Sequence, residues 1–258
     1  MNEGERFKSI MDILYQEDLV SSEKLEKILG VSSVTIRRDL QKLTKKGLIV
    51  RYRGGAMLAK SKLGHEPTLG ERESENLSNK RLIGQTAASL VKDGEVIALD
   101  VGSTAMELAK ALKARSNITV FTPSLPIANI FLNTNVTVYI VGGILQHKEV
   151  CVGGPIARSI IRQYHFDKFF LGVAGISETA GMTDFGMDEV ETKKAFIERA
   201  REVIVLADSS KFSKTSFATI CKFNEIDQII TDYDLDSQLQ ANLKKKGVDI
   251  VVASCSED

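Results

Sequence analysis

From Glu95 onwards, short apolar segments alternate with amphipathic segments, and this alternation constrains the fold more than any other feature. Short apolar runs predict buried strands, and the longer segments between them predict helices. Such a succession is typical of a mostly parallel sheet covered by helices on both faces. The expected strands are residues 95–99, 118–121, 136–141, 168–172, 203–206, 228–231 and 248–252. The expected helices are residues 80–91, 104–112, 125–132, 154–163, 189–199 and 235–245.

The first 60 residues have a different pattern, in which three amphipathic segments precede a candidate hairpin. Residues 5–16 carry apolar side chains at helical spacing. A second helix is expected to begin at a cap, Ser21 or Ser22, and to end at Gly30. Its inward side chains are expected to be Leu25, Ile28 and Leu29.

The third segment, residues 32–47, predicts an amphipathic helix with a cationic face. Its apolar stripe is Ile36, Leu40 and Leu43, with Gly47 as the expected end. The residues that project away from this stripe are Arg38, Gln41, Lys42 and Lys45, with Thr35 and Arg37 on its flanks. Taken alone, this helix is equally consistent with an ordinary solvated surface.

The flanking segments favour DNA binding. A helix, a tight turn at Gly30 and a cationic helix form a helix-turn-helix pattern. The β-prone residues around Gly54 and Gly55 then predict a hairpin, or wing, that carries Arg51 and Arg53. Residues 31–60 contain eight basic residues and one acidic residue, a local charge of +7 in a chain whose net charge is zero. This asymmetry predicts a polyanion-binding surface.

Residues 6–56 resemble the N-terminal domain of DeoR-type bacterial transcriptional regulators. The resemblance rests on Arg6, Ile10 and Leu14, on TIRRDL at 35–40 and on GGA at 54–56. One departure is Arg53, where the family often has His, and it keeps a donor while adding charge. The predicted DNA-binding residues are Ser32, Ser33, Thr35, Arg37, Arg38, Lys42, Lys45, Arg51 and Arg53.

The predicted domain boundaries follow the composition. Residues 1–60 form the winged helix-turn-helix, residues 61–78 are polar and predict a linker, and residues 79–258 form the larger α/β domain.

In the larger domain, ligands are expected beyond the carboxyl ends of the strands. Residues 100–104, DVGST, follow a strand and open a helix, which is the arrangement of a phosphate cradle. The alternative is that Ser103 or Thr104 only caps the helix. Loops at 122–124, 142–143 and 208–211 end further strands, and Lys211 is a candidate charge against phosphate.

Residues 80–253 also resemble the DeoR-type sensor domain, through KRLIG, DVGST, TPSL, VGG, DKFFLG, DSSKF and IITD. The resemblance implies a fold similar to sugar-phosphate isomerases and a phosphorylated sugar as effector. Pro123 replaces an Asn that is common in the family, so the contact of that amide is absent. The effector contacts that the resemblance implies are Asp100, Gly102, Ser103, Thr104, Thr122, Ser124, Gly143, Asp208 and Lys211.

Composition narrows the class of protein further. No run of 18 apolar residues exists, and the polar N-terminus does not fit a secretory signal, so we expect a cytoplasmic protein. Three Cys and three His are scattered, which argues against a metal site. Neither a Walker A loop nor a GxGxxG motif is present, so no nucleotide cofactor is expected.

The leading hypothesis is a homo-oligomeric repressor of a carbohydrate operon, dimeric or tetrameric, that a phosphorylated sugar releases from double-stranded operator DNA. The main alternative is a sugar-phosphate isomerase or deaminase with an N-terminal helical appendage, in which Glu189 or Asp184 acts as the base. A regulator that acts through protein contacts is disfavoured by the cationic region.

Overall fold

The computed structural model describes residues 3–16, 19–45, 48–52, 54–58 and 68–254. The chain divides into two compact units, residues 1–66 and 67–258. Gly47, Arg53 and residues 61–67 of the expected linker lie outside the described residues. No helix within the described ranges has the length and apolarity that crossing a bilayer requires.

The first unit combines three helices with a three-stranded antiparallel sheet. Its helices are α1 (Glu3–Gln16), α2 (Ser22–Leu29) and α3 (Ser33–Lys45). Its strands are β1 (Leu19–Ser21), β2 (Ile49–Tyr52) and β3 (Gly55–Leu58), in the order β1-β3-β2. The expected hairpin is confirmed as β2 and β3. Strand β1 adds to it, and its three residues are too short to show an alternating pattern.

The turn between α2 and α3 follows from its capping residues. Ser21 Oγ accepts a hydrogen bond from the backbone N–H of Lys24 at 3.1 Å, and Gly30 ends α2 with a φ of +63°. The prediction that Ile28 faces inward is wrong, because its side chain is 53% exposed. Leu25 and Leu29, four residues apart, define the inward stripe of this short helix, and Ile28 lies at its border.

The second unit is an α/β domain that contains a seven-stranded parallel sheet. Its described strands are β4 (Val96–Leu99), β5 (Thr119–Thr122), β6 (Thr137–Ile140), β7 (Ile144–Gln146), β8 (Cys151–Gly153), β9 (Phe166–Gly172), β10 (Gly175–Ser177), β11 (Gly181–Asp184), β12 (Ala200–Leu206), β13 (Ala218–Cys221), β14 (Gln228–Thr231) and β15 (Asp249–Val252). Its described helices are α4 (Leu69–Ser74), α5 (Leu77–Ser89), α6 (Ser103–Leu112), α7 (Leu125–Ile130), α8 (Gly154–Ile161), α9 (Met187–Ile197) and α10 (Ser237–Lys245).

The parallel sheet has the order β15-β14-β12-β9-β4-β5-β6. The chain runs outward from β4 to β6 on one side and from β9 to β15 on the other, so the order reverses between β4 and β9. A crevice forms beyond the strand ends at such a switch point. The sequence prediction of a mostly parallel, doubly covered sheet is confirmed, and each predicted strand of this sheet is present.

Two buried clusters fill the two faces of the sheet. On one face, Ile83 of α5 and Leu108 of α6 pack against Ile97 and Phe170. On the other face, Phe196 of α9 packs against the strands, and its ring stacks on that of Phe169 with centroids 5.0 Å apart. Alternate residues along each strand therefore serve opposite cores.

The described part of the expected linker is helical. Thr68 caps α4 in a capping box, in which Thr68 Oγ1 accepts from Glu71 N and Glu71 Oε2 accepts from Thr68 N. Leu69 is buried in the core on the α5 side of the sheet. The polar composition of residues 68–78 reflects the exposed side of this segment, in which Leu69 is the buried apolar residue.

The second unit also contains two short antiparallel sheets that the sequence analysis did not predict. Strands β7 and β8 pair with each other, and β10, β11 and β13 form a second sheet. Gly143 has a φ of +152°, and a Cβ on it would lie 2.3 Å from the carbonyl oxygen of Gly153. This glycine is therefore required by the close approach of the chain before β7 to the end of β8.

Helices α5 and α6 approach each other most closely at Gly84. A Cβ on Gly84 would lie 2.7 Å from the backbone carbon of Glu107 and 2.7 Å from the backbone nitrogen of Leu108. Both atoms belong to the backbone of α6, so they cannot move aside cheaply.

We predict that Gly84→Ala destabilises the second unit by about 1–3 kcal/mol, because the added methyl group overpacks the α5–α6 contact. The control is Gly70→Ala in α4, where a Cβ would meet no atom within 4 Å. That variant should match the wild type or gain up to about 1 kcal/mol from helix propensity. Differential scanning calorimetry measures both, and equal effects of the two substitutions would contradict the packing account.

Candidate functional site

The exposed face of α3 is cationic, as the sequence predicts. Ile36, Leu40 and Leu43 are buried in the core of the first unit. The predicted DNA-binding residues on the exposed surface of this helix and its cap are Ser32, Ser33, Arg37, Arg38, Lys42 and Lys45. Thr35 is half-buried, and its Oγ1 lies 3.0 Å from Ser32 Oγ. One more residue belongs to this face, since Val34 is 65% exposed.

A buried ion pair explains why the single acidic residue of α3 does not interrupt the cationic face. Asp39 points inward, and its two carboxylate oxygens accept from Arg6 Nε at 2.7 Å and Arg6 Nη2 at 3.1 Å. This bidentate pair joins α1 to α3. Arg51 of β2 is exposed on the wing, whereas Arg53 lies outside the described residues.

In the second unit, α6 begins at Gly102, in the loop that follows β4. Gly102 is the N-cap, has a φ of +114° and supplies no side chain, so the first turn of α6 carries no side-chain cap. Its backbone N–H groups are therefore available, and the helix dipole favours a negative charge there. The alternative in which Ser103 or Thr104 caps this helix does not hold, because the N-cap is Gly102.

Arg72 lies beside this helix end and interacts electrostatically with two lysines, Lys80 and Lys211. Arg72 Nη1 lies 3.8 Å from the position that a Cβ on Gly102 would occupy. Lys80 is buried, and its Nζ donates to the backbone oxygens of Arg72 and Glu75 at 2.5 Å each. Lys211 follows β12, and within the described residues no hydrogen bond occupies its Nζ. Burial lowers the pKa of both lysines, and Asp208 opposes this shift in each.

Arg72 and Lys80 were not among the predicted site residues. Arg72 lies in the segment that composition assigns to a linker, and Lys80 is the first residue of the KRLIG segment, from which no effector contact was predicted. The pattern Thr68-x-x-Glu71 was a usable signal, because a capping box marks a helix start.

The predicted residues Asp208, Thr122 and Ser124 have internal hydrogen-bond partners, and Gly143 carries no side chain. Asp208 Oδ1 accepts from Asn76 Nδ2 at 3.1 Å and from Ser210 N at 3.0 Å. Ser124 Oγ caps α7 through Ile127 N, and Thr122 Oγ1 accepts from Ser124 N. These side chains shape the loops around the crevice, and a direct effector contact stays a prediction for them.

A buried lysine lies at the switch point. Lys193 Nζ, on α9, forms ion pairs with Asp184 and, at 3.0 Å, with Asp100 Oδ2, and it donates to the carbonyl of Gly172 at 3.0 Å. Asp100 Oδ2 also accepts from Gly172 N at 2.9 Å, which joins the ends of β4 and β9.

The electrostatics of this cluster follow from two carboxylates sharing one ammonium group. Burial alone would lower the pKa of Lys193, but Asp100 and Asp184 outweigh it, so the pKa is raised and the lysine stays charged. Burial raises the pKa of Asp100, and Lys193 opposes that shift. A small cavity beside the cluster is lined by Asp100, Lys193, Gln146, Cys151, Glu189 and Thr192. Burial also raises the pKa of Cys151, which keeps its thiol neutral.

Comparison with known proteins decides the family. The model of the DeoR-like helix-turn-helix domain matches residues 6–62, and that of the DeoR C-terminal sensor domain matches residues 75–233. The chain belongs to the DeoR family. It is therefore a DNA-binding transcriptional regulator and not an enzyme, and the resemblance inferred from the motifs is confirmed. Among the described residues, no group of three or more His, Cys, Asp or Glu side chains could hold a metal ion.

Relatives match this DeoR-family regulator over nearly its whole length. The transcriptional regulator GlpR of Haloferax volcanii is 35% identical over 96% of this chain and 97% of its own. The transcriptional repressor GlcR of Bacillus subtilis is 34% identical over 100% of this chain and 99% of its own. Among solved structures, ribose 5-phosphate isomerase A of Methanocaldococcus jannaschii is 23% identical, with a TM-score of 0.41 over 54% of this chain and 56% of its own.

We predict that Lys193→Met costs about 3–5 kcal/mol of unfolding free energy, because it leaves two buried carboxylates without their counter-ion. The neighbouring Lys194 is the matched control, since it is 41% exposed and pairs with Glu191 at the surface. Lys194→Met should cost less than about 1 kcal/mol. Urea denaturation followed by circular dichroism measures both, and similar losses would show that burial of the ion pair is not the cause.

Proposed function

We propose that this DeoR-family regulator represses a carbohydrate operon and is released from operator DNA by a phosphorylated sugar. The observation that supports this proposal best is the uncapped N-terminus of α6 beside Arg72, the buried Lys80 and Lys211. Phosphate is the anion that such a set of backbone donors and cations suits. The name of GlcR, a transcriptional repressor, and that of the putative aga operon repressor of Escherichia coli O157:H7 agree with repression.

Operator recognition is assigned to α3 and the wing. Arg37 and Arg38 reach base edges in the major groove, where Arg pairs with guanine O6 and N7. Val34 supplies an apolar contact of the kind that a thymine methyl group takes. The residues that neutralise phosphates are Lys42, Lys45, Arg51 and Arg53, and Ser32, Ser33 and Thr35 flank them.

Effector recognition is divided between two ends of the crevice. Gly102, Ser103, Thr104 and Lys211 hold the phosphate with Arg72 and Lys80. Asp100 and the Lys193 cluster, together with Gln146 and Glu189, face the sugar hydroxyl groups. Asp208 positions the nearby cations, and the remaining predicted residues, Thr122, Ser124 and Gly143, shape the loops.

The regulator is proposed to act as a homo-oligomer in the cytoplasm. A single winged helix buries too little surface for tight operator binding, so at least two copies are needed on repeated half-sites. The proposed domain division is residues 1–60, 61–78 and 79–258, and α4 lies within the middle segment.

The DNA-binding assignment predicts that Arg38→Ala lowers operator affinity by about 1–3 kcal/mol, because a base contact is lost. The operator is first selected from a randomised duplex library with the wild-type protein, and affinity is then measured by fluorescence anisotropy. Lys113→Ala, which removes a charge from an exposed position of the second unit, is the control and should leave affinity unchanged. An Arg38→Ala variant with wild-type affinity would reject the assignment.

The phosphate assignment predicts that affinity for inorganic phosphate falls as the pH rises through the lowered pKa values of Lys211 and Lys80. Burial lowers the pKa of both lysines below the ordinary value of 10.5, so each loses its proton at a lower pH than an exposed lysine does, and binding must take that proton up again. The arginine side chain of Lys211→Arg stays charged over this pH range. The variant should therefore take up about one proton fewer on binding, which makes its slope of log affinity against pH shallower.

Isothermal titration calorimetry in two buffers measures this proton uptake directly. Lys214→Arg is the control, because Lys214 is exposed and should leave the slope unchanged. An unchanged slope in Lys211→Arg would place the phosphate elsewhere.

A further inference from the structure

Helix α4 is fastened to the turn between β7 and β8 by one ion pair. Arg72 Nη2 binds Glu149 Oε1, although the two residues are 77 positions apart in the chain. Glu149 is only 1% exposed, and its second oxygen, Oε2, has no hydrogen-bond partner in the described part of the chain. A buried carboxylate with one unsatisfied oxygen is costly, so this pair has a weak point on the Glu149 side.

The turn that carries Glu149 is strained and borders the effector crevice. Val150 has a φ of +50°, a conformation that a β-branched residue rarely adopts. The turn is held by the N–H of Leu125, which donates to Val150 O at 3.1 Å. Gln146 and Cys151, at its two ends, line the cavity beside Lys193. An open groove separates α4 from this turn, between Leu69 and Glu73 on one side and His147 and Val150 on the other.

The same guanidinium group lies beside the phosphate cradle. Arg72 Nη1 is 3.8 Å from the Cβ position of Gly102, at the N-terminus of α6. Nη2 is committed to Glu149, so a phosphate bound there can take both Nη groups of Arg72 only if the pair with Glu149 breaks. Helix α4 is also the first described element after the segment that leads from the first unit.

We infer that Arg72 couples effector binding to the operator-binding state, by exchanging its ion pair with Glu149 for one with the effector phosphate. This inference rests on the proposed function and names the regulation of the same site. The Arg72–Glu149 pair defines the closed state, which binds the operator. Transfer of Arg72 to the phosphate leaves Glu149 without its counter-ion, so the turn opens and relaxes the strain at Val150.

Two physical requirements of a switch are met by this arrangement. A ligand shifts an equilibrium only by its difference in affinity for the two states, and the phosphate gains a bidentate contact with Arg72 only in the open state. The exchange replaces one charge-assisted contact by another, which keeps the two states close in free energy, and Arg binds phosphate bidentately. If Arg72 were only a structural anchor for α4, its removal would lower stability without changing the response to effector.

The test uses the full-length chain and the variants Glu149→Gln, Arg72→Gln and Glu73→Gln. Glu149→Gln decides the matter, because it weakens the closed state and leaves all phosphate-binding cations in place. Glu73→Gln removes an exposed carboxylate from the same helix and is the matched control. The probes are glucose 6-phosphate, fructose 6-phosphate, glycerol 3-phosphate and inorganic phosphate. Melting temperature reports probe binding by mass action, and fluorescence anisotropy reports operator affinity.

Glu149→Gln is expected to bind the best probe about tenfold more tightly and the operator about tenfold more weakly than the wild type, a shift of about 1.4 kcal/mol in each equilibrium. Arg72→Gln is expected to need more probe for the same melting shift and to keep its operator affinity when the probe is added.

A Glu149→Gln variant that matches Glu73→Gln in both measurements overturns the inference, and so does an Arg72→Gln variant whose operator affinity falls as far as that of the wild type at saturating probe. If no probe raises the melting temperature of the wild type, the effector site itself is misplaced, and the proposed function fails together with the coupling.

Discussion

The architecture of the second unit depends on one buried ammonium group. Lys193 joins Asp100, at the end of β4, to Asp184 on the neighbouring antiparallel sheet and to the carbonyl of Gly172 at the end of β9. These contacts span the point at which the strand order reverses, and they add to the backbone pairing of β4 with β9. The cost of desolvating these charges offsets much of the free energy that the ion pairs contribute to stability. Their main effect is therefore to fix the positions of the strand ends that they join. The crevice therefore has a fixed inner wall before any effector arrives.

The outer end of the crevice differs from this inner end, because its polar and charged groups are not all paired with protein groups. Helix α6 begins at a glycine without a side-chain cap, Lys211 makes no hydrogen bond through Nζ among the described residues, and Arg72 is committed to a carboxylate that it satisfies only on one side. Because the Lys193 cluster is already fixed and the cations near α6 are already in place, a ligand has to order few side chains when it binds, which lowers the entropic cost of binding. The Lys193 cluster at the switch point therefore determines the shape of the crevice, and the N-terminus of α6 with its neighbouring cations determines its charge.

Local pattern predicted much of this protein, and long-range pairing accounts for most of the remainder. The strands of the parallel sheet contain short apolar runs, and α3 repeats its apolar residues at helical spacing, so both were visible in the sequence. Strands of three residues, such as β1 and β7, are too short to show a period. The pairs Arg72–Glu149 and Lys193–Asp100 join residues that no motif or spacing rule connects. Ile28 shows the converse limit, because an apolar residue at the border of a two-turn helix can satisfy the spacing and still face solvent.

The pairing of Arg6 with Asp39 has a consequence for how this family can diversify. The only acid of α3, Asp39, is paired with Arg6 inside the core. The buried side of the helix, with its apolar stripe and this ion pair, therefore packs independently of the residues on the exposed face. The exposed positions of the helix, among them Val34, Arg37 and Gln41, contribute almost nothing to that core. New operator preferences can therefore arise by exchanging surface residues on an unchanged scaffold, and the stability of the domain sets no barrier to such drift in specificity.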